Sequence, residues 1–215
     1  LYPHDGVPGP AVGFLQEAVR WWDHWLKGHE TGIMDEPMLR AWMQDYMPPR
    51  TTVSHSPGRW VAEASWPSRR IALRHWTLAA NGLIDGSAPA ARLNLASPQT
   101  VGMAAGEWSG FGVPGEMPTD QRIDDGGSLV LDSATLAVPI EILGAPIVER
   151  EIEVDQPCAL VCARLGDVAP DGAVARVSYG LLNLTHRDGH AEPQRLVPGE
   201  RYRVAIVMND IAHAF

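Results

Sequence analysis

Eight histidines are the residues of this sequence best suited to acid–base chemistry or metal binding, but their spacing matches no known catalytic pattern. None lies in an H-E-x-x-H motif, and no pair is joined to acidic residues at a recognised ligand spacing. We therefore expect no catalytic zinc and assign no residue as a metal ligand. The histidines are His4, His24, His29, His55, His75, His186, His190 and His213.

The acidic stretch TDQRIDDGG is a second candidate, because Asp120, Asp124 and Asp125 could offer carboxylate oxygens to calcium. The stretch lacks the full ligand pattern of an EF-hand loop, and Asp-rich turns before strands are common. We therefore favour a solvated turn over a calcium site. No glycine-rich phosphate loop opens a helix, and we expect no cofactor.

Serine and cysteine nucleophiles are not supported either. No G-x-S-x-G motif occurs, and Ser109 in EWSGFG has neither that pattern nor a following helix. Cys158 and Cys162 lie in the predicted strand CALVCARL, about 13 Å apart, whereas a disulfide needs Cα atoms closer than about 7 Å. We expect two free thiols in the core, which favours a reducing, cytoplasmic compartment.

Length and charge limit the class of protein. A chain of 215 residues can form one large domain, or one domain with an appended piece. The net charge of -9 argues against a nucleic-acid partner, which needs a concentrated basic surface. No apolar stretch approaches the roughly 20 residues of a membrane-spanning helix, so we expect no membrane partner. The abrupt start at Leu1, without an initiator Met or a signal-peptide pattern, suggests a piece of a longer protein.

The strongest local signal is an amphipathic helix over residues 13–28, GFLQEAVRWWDHWLKG. Pro10, just before this segment, is typical of a first helical residue. Lys27 gives a basic last turn, and Gly28 is typical of a helix end. Apolar residues recur at three- and four-residue spacing on one face, and three tryptophans lie in the segment. That face consists of Leu15, Ala18, Val19, Trp22, Trp25 and Leu26, with Trp21 beside it.

The rest of the chain has the pattern of short strands separated by Gly, Pro and Asp turns, which predicts an all-β sandwich. The clearest alternation is in 147–154, and the apolar run 158–165 suggests a strand covered on both faces. An irregular stretch from Ser87 to Gln121 is too long for a hairpin loop, and such loops usually cover a surface or line a site. The predicted strands are 38–46, 59–66, 70–78, 128–133, 138–144, 147–154, 158–165, 174–186 and 202–210.

Several blocks together resemble hydrolases of the CocE/NonD family, the relatives of cocaine esterase and Xaa-Pro dipeptidyl-peptidases. The resemblance covers nearly the whole chain, and the blocks keep the family's order. They are YPHDGVPGPAVGFLQEAVRWWDHWLKG with TGIMDEPMLRAWMQ, then TDQRIDDGGSLVLDSATLAVPIEILGAPIVE, RLGDVAPDGAVARVSYGLLNLTHRDG and LVPGERYRVAIVMNDIAHAF.

This resemblance implies an α/β-hydrolase domain with a helical cap, followed by a C-terminal jelly-roll domain of the galactose-binding-like type. Residues 1–32 would be the last helix and linker of the hydrolase domain, and residues 33–215 the jelly roll, truncated at its end. The family's catalytic serine and aspartate would lie upstream, and its histidine immediately before Leu1. His4 is the in-chain alternative if the alignment shifts by a few residues. We therefore assign no catalytic residue here and expect the chain to be inactive alone.

Two further expectations follow from the resemblance. His186 matches the family's "ltHR" segment, where we expect a hydrogen-bonding role at a strand end. The chain stops at Phe215, before a strand that relatives place next. A missing strand would leave a sheet edge uncovered, so we expect a neighbouring chain or a rearranged terminus to occupy that edge in a crystal.

The residues and the resemblance leave two functions to weigh. The favoured one is an accessory domain of a serine hydrolase that acts on ester or peptide acyl bonds. Its expected partner is the missing hydrolase domain, and assembly into a homo-oligomer is compatible with this function. The alternative is a free-standing module that binds carbohydrate or another ligand, with Trp66, Trp108 and Phe111 as an aromatic platform. The helix favours the first, because its apolar face has no use in a solitary module. The sequence does not define the parent's substrate.

Overall fold

The computed structural model describes residues 9–108 and 113–215, and its first element is the expected helix, α1, at Phe14–Lys27. Gly28 ends the helix with a left-handed backbone (φ 70°), and its N–H donates to the His24 carbonyl at 3.1 Å. The prediction of a helix over 13–28 is therefore confirmed. None of the helices in the described ranges is long and apolar enough to cross a membrane.

The remaining elements are mainly strands, which confirms the expected fold class. In chain order they begin with a 3-10 turn at Ile33–Asp35, then β1 Leu39–Gln44, β2 Gly58–Glu63, β3 Thr77–Ala79, β4 Gly82–Ile84 and a one-turn helix, α2, at Arg122–Asp125. They continue with β5 Glu141–Gly144, β6 Ile147–Glu153, β7 Leu160–Val168 and β8 Val174–Asn183. A 3-10 turn at Leu184–His186, β9 Arg201–Val207 and β10 Ile211–Ala214 complete the series.

The strands form one four-stranded sheet and three antiparallel pairs. The larger sheet has the order β2-β1-β10-β5, with β1 parallel to β10 and the other neighbours antiparallel. The pairs are β3–β4, β6–β9 and β7–β8. Strand β8 passes very close to the end of β9, where a Cβ atom at Gly180 would collide with the Val207 carbonyl. Glycine at 180 therefore permits these two layers to pack.

The core lies between the β6–β9 and β7–β8 pairs. Leu184, Leu196 and Val204 are buried together, and Ile152, Val154, Ala159, Leu182 and Tyr202 pack against them. The predicted alternation in β6 is confirmed, because its glutamates face solvent and its Val148 and Ile152 face inward. The apolar inward face of these strands supplies the burial that stabilises the sandwich.

Two predicted strands are wrong in whole or in part. Residues 128–133 form no strand and make a single bridge, Leu83 to Ser133. In 70–78 only the end is a strand, because Arg70 folds back and donates to the Glu63 carboxylate and the Ala62 carbonyl, each at 2.6 Å. Conversely, strand β4 was not predicted. It begins at Gly82 (φ 145°), directly after the two-residue turn 80–81, and this glycine approaches the Asp132 carbonyl.

The apolar run 158–165 was expected to be covered on both faces, and this is also wrong. Leu160 is 76% exposed, and Leu181, on the paired strand, is exposed beside it. Only the other face of the β7–β8 pair packs on the core, through Leu182. A continuous apolar run therefore does not by itself imply two covered faces.

The last strand is not an edge of its sheet, since β10 pairs with β1 on one side and β5 on the other. Phe215 extends this pairing, because its N–H donates to the Ile140 carbonyl at 2.8 Å. Strand β10 was not among the predicted strands, which ended at residue 210. The expectation that a neighbouring chain or a rearranged terminus occupies an uncovered sheet edge in a crystal stays a prediction.

Candidate functional site

Helix α1 directs its polar side toward the rest of the chain and its apolar side toward solvent. Arg20 pairs with Glu17 and also with Glu36, which in turn pairs with Arg40 at 3.0 Å. The Arg20 guanidinium holds the pKa of the Glu36 carboxyl below its usual range. This ion-pair group connects the helix to the start of β1.

The apolar face of α1 has no cover from the described residues. Trp22 and Trp25 are 54% and 53% exposed, and Phe14, Leu15, Val19 and Leu26 are exposed with them. No residue of the helix is buried. The rings of Trp21 and Trp25 contact each other, with centroids 5.7 Å apart. So large a contiguous apolar surface is typical of an interaction site.

The acidic stretch that was expected to be a solvated turn is instead a buried polar cluster, so that expectation is wrong. Asp124 is only 2% exposed, and its Oδ2 accepts a hydrogen bond from the Ala104 N–H at 3.1 Å. Gln121 is also buried and donates to the carbonyls of Ala104 and Thr119. These contacts hold together the described parts of loop 97–128, which are residues 97–108 and 113–128.

Arg164 on β7 attaches this loop to the sandwich. Its Nη2 donates to Asp125 Oδ1 at 2.9 Å and to Ser128 Oγ at 3.0 Å, and its Nη1 donates to Gln121 Oε1 at 3.0 Å. Its Nη1 also lies 3.6 Å from Asp124 Oδ2. Desolvation raises the pKa of Asp125 despite the nearby guanidinium. On β8, Arg176 adds a hydrogen bond to the Ala105 carbonyl at 2.7 Å.

The carboxylates of the acidic stretch are neutralised by arginines of the same chain. Asp124 and Asp125 face Arg164, and Asp120 forms a close ion pair with Arg122. Among residues 9–108 and 113–215, no three His, Cys, Asp or Glu side chains are grouped so that they could hold a metal. The cluster is a structural clamp between loop and sheet.

A second buried polar contact, between His213 on β10 and Asp167 on β7, was missed by sequence reasoning. His213 Nε2 lies 3.0 Å from Asp167 Oδ2, both side chains are largely buried, and the Phe215 ring packs edge-on against the imidazole. In the described part of the chain, no hydroxyl or thiol hydrogen-bonds to this imidazole. The pair resembles the base and orienting acid of a triad but has no nucleophile. The contact joins β10 to β7.

Both cysteines are exposed and free, so the expectation of core thiols is wrong. Cys162 lies opposite Leu181 in the register, and partial desolvation raises the pKa of its thiol above the usual range. Neither thiol lies at a helix N-terminus, where a lowered pKa would make it a nucleophile.

The remaining candidates are not assembled into a site. Trp66 and Trp108 make no ring contact with each other, although both are described and Trp108 is 81% exposed. His4, Ser109 and Phe111 lie outside the described residues. His186 follows the end of β8, as expected, and its Nδ1 lies 3.0 Å from Nδ1 of His190.

The long irregular stretch does line a cavity, of about 540 Å³. Its apolar lining includes Leu95, Val101, Met103, Ile123 and Leu129. The side chains that line it include no titratable group. The pocket is open to solvent and offers no titratable group, so it is not a candidate for acid–base chemistry.

Fold and side chains together define a mainly β domain with an attached helix whose apolar face is uncovered and, within the described ranges, no assembled nucleophile, base and acid. Residues 31–215 match the family of the X-Pro dipeptidyl-peptidase C-terminal non-catalytic domain. The chain belongs to this family.

Two curated relatives, from Mycobacterium bovis and Mycobacterium tuberculosis, carry the name "Putative serine esterase". Each is 28% identical over 206 residues, which is 91% of this chain and 31% of the relative. This chain thus spans about a third of their length.

Solved structures share the fold. A CocE/NonD family hydrolase from Staphylococcus aureus has a TM-score of 0.62 at 13% identity, over 94% of this chain and 35% of its own. An aminopeptidase from a marine sediment Thaumarchaeota archaeon has a TM-score of 0.62 at 17% identity, over 96% of this chain and 35% of its own. The resemblance to CocE/NonD hydrolases inferred from the sequence is confirmed at the level of the C-terminal domain.

Proposed function

We propose that this chain is the non-catalytic C-terminal part of a serine hydrolase that cleaves ester or peptide acyl bonds, including bonds of the Xaa-Pro dipeptidyl type. In this proposal residues 1–32 contribute the last helix and linker of an α/β-hydrolase domain, and residues 33–215 form the accessory β domain. The family match and the names of the relatives support it.

The observation that carries this proposal is the uncovered face of α1. The tryptophans of this helix are about half exposed to solvent, while its Arg20 faces its own chain and pairs with Glu36. In an isolated protein the apolar face of a helix normally packs on the core, so this orientation indicates a missing partner. The hydrolase domain is the partner that would bury this face. Burial of each indole would contribute roughly 1.5–3 kcal/mol.

Catalysis would belong to the partner domain. Its nucleophilic serine would attack the acyl carbon, a histidine would accept the serine proton, and an aspartate would orient that histidine. This chain would stabilise the enzyme, border the acyl pocket or supply subunit contacts. We also propose a cytoplasmic location, in keeping with the two free, exposed thiols.

The test compares this chain with its full-length parent on a p-nitrophenyl ester and an Xaa-Pro p-nitroanilide. The parent should hydrolyse at least one of them and lose activity with a serine-directed phosphonate, and the chain alone should show no turnover above buffer. Phosphonate-sensitive turnover by the isolated chain would overturn the assignment of a non-catalytic part.

A further inference from the structure

The exposed segment that follows β8 brings two imidazoles together. His186 Nδ1 and His190 Nδ1 lie 3.0 Å apart, and the ring centroids are 5.2 Å apart. His186 is partly exposed and His190 exposed, so an ion from solvent can reach both. Sequence spacing did not single out this pair, because H-x-x-x-H in a loop does not fix the direction of either ring.

The backbone of the segment is anchored on both sides of the pair. Leu184 is buried, and its N–H donates to the Ala159 carbonyl at 3.0 Å. Asn183 Oδ1 accepts from the Thr185 N–H and hydroxyl. The Gln194 N–H donates to the Thr185 carbonyl at 2.7 Å, which ties the returning chain to the turn.

Arg187 and Gly189 fix the turn between the histidines. Arg187 Nη1 donates to the carbonyls of Leu184 and Gln194, and its guanidinium stacks on the Tyr202 ring at 4.5 Å. The Gly189 N–H donates to the His186 carbonyl at 3.0 Å, and its φ of 139° suits glycine, which reverses the chain toward His190. The two rings are therefore held as neighbours by the fold.

The separation of the nitrogens fits an N–H···N hydrogen bond in the metal-free chain, and it also fits a metal chelate in which the ion replaces the shared proton. Two nitrogens bonded at about 2.1 Å and at right angles lie about 3.0 Å apart, whereas a tetrahedral pair lies about 3.4 Å apart. Right-angled imidazole ligands are typical of square-planar, tetragonal or octahedral ions such as Cu²⁺ and Ni²⁺. Among the described residues no third His, Cys, Asp or Glu side chain is grouped with this pair, so water would complete the coordination.

We propose that His186 and His190 form a two-histidine binding site for a divalent transition-metal ion, with Cu²⁺ and Ni²⁺ preferred. The site is independent of the hydrolase function proposed above. Because the metal would join the two ends of the short turn 186–190 that follows β8, binding would also stabilise the folded state by mass action.

The test is titration of the tag-free 215-residue chain with Cu²⁺ and, separately, Ni²⁺, by calorimetry, with electron paramagnetic resonance of the Cu²⁺ form. One ion should bind with splitting from two nitrogens. H186A, H190A and the milder H190Q should weaken binding by at least about tenfold, because even loss of a group that only supports a metal ligand typically costs about 10–100-fold in metal affinity. H75A removes an exposed histidine elsewhere and should leave this affinity unchanged.

Circular dichroism spectra that match those of the unmodified chain would show that the variants are folded. Loss of binding in folded H186A and H190Q, but not in H75A, supports the site. Unchanged affinity in both variants, or equal losses in H75A, would mean adventitious binding to surface histidines and would overturn the proposal.

Discussion

Helix α1 and loop 97–128 have opposite arrangements of polar and apolar groups. The helix exposes Trp22 and Trp25 and turns Arg20 toward its own chain, whereas the loop buries Asp124 and Gln121 against Arg164. The loop's charged groups are paired within the chain, whereas the apolar face of the helix has no cover from the described residues. The contrast separates a region held by its own chain from a region that, in our proposal, another domain covers.

The largest expected effect is at the loop. Arg164→Met should destabilise the fold by about 3–5 kcal/mol, because it leaves buried carboxylates without their cation. Urea denaturation monitored by near-ultraviolet circular dichroism measures the change. The matched control is Arg203→Met, which removes an exposed ion pair with Glu149 and should cost less than about 0.5 kcal/mol. Equal losses in the two variants would contradict a buried clamp.

His213 is the next test, at the contact between β10 and β7. His213→Ala should cost about 1–3 kcal/mol, since Asp167 loses its hydrogen-bond partner in a largely buried place. A double-mutant cycle with Asp167→Ala isolates the pair. Additive losses would show that the two side chains do not interact, in conflict with the 3.0 Å contact.

The helix should behave differently from both. In this chain Trp22→Ala and Trp25→Ala should each change the free energy of unfolding by less than about 1 kcal/mol, because these indoles are uncovered. Leu184→Ala, in the core, should cost about 2–5 kcal/mol. In the full-length parent the tryptophan variants should become the damaging ones. Large losses in the isolated chain would mean that the helix is packed here.

Acid should affect the two regions in opposite directions. The pKa of Glu36 is lowered by Arg20, so its contribution is present above the ordinary Glu pKa and is lost as the pH falls through the folded value. The pKa of Asp125 is raised by desolvation, so its ionisation opposes folding as the pH rises from the unfolded to the folded pKa.

Two neutral variants therefore separate these effects. Relative to the unmodified chain, Glu36→Gln should lose stability as the pH rises from 2 to 7, and Asp125→Asn should gain it. Stability measured by urea denaturation at several pH values checks both, and slopes of the same sign would refute the contrast.

Local periodicity predicted the elements that depend on neighbours in sequence. Helix α1 and strand β6 follow from residue spacing, and their boundaries agree with it to within a residue or two. Strand β4 and the absence of a strand at 128–133 were missed, because pairing depends on which segments meet in space.

The polar contacts could not be predicted, for a related reason. Burial of Asp124 requires Arg164, 40 positions further along the chain, and Asp167 meets His213, 46 positions away. Neither pair has a characteristic spacing. The exposure of Cys162 could not be predicted from the sequence either, because an apolar run does not show which face of a sheet is covered.

The most direct test of the central claim is amide hydrogen exchange of α1 in the isolated chain and in the full-length parent. We expect α1 to exchange rapidly in the isolated chain while β7 and β8 are protected, and to become protected in the parent, where the proposed hydrolase domain would cover Trp22 and Trp25. Protection of α1 in the isolated chain equal to that of β7 and β8, with no increase in the parent, would contradict the account.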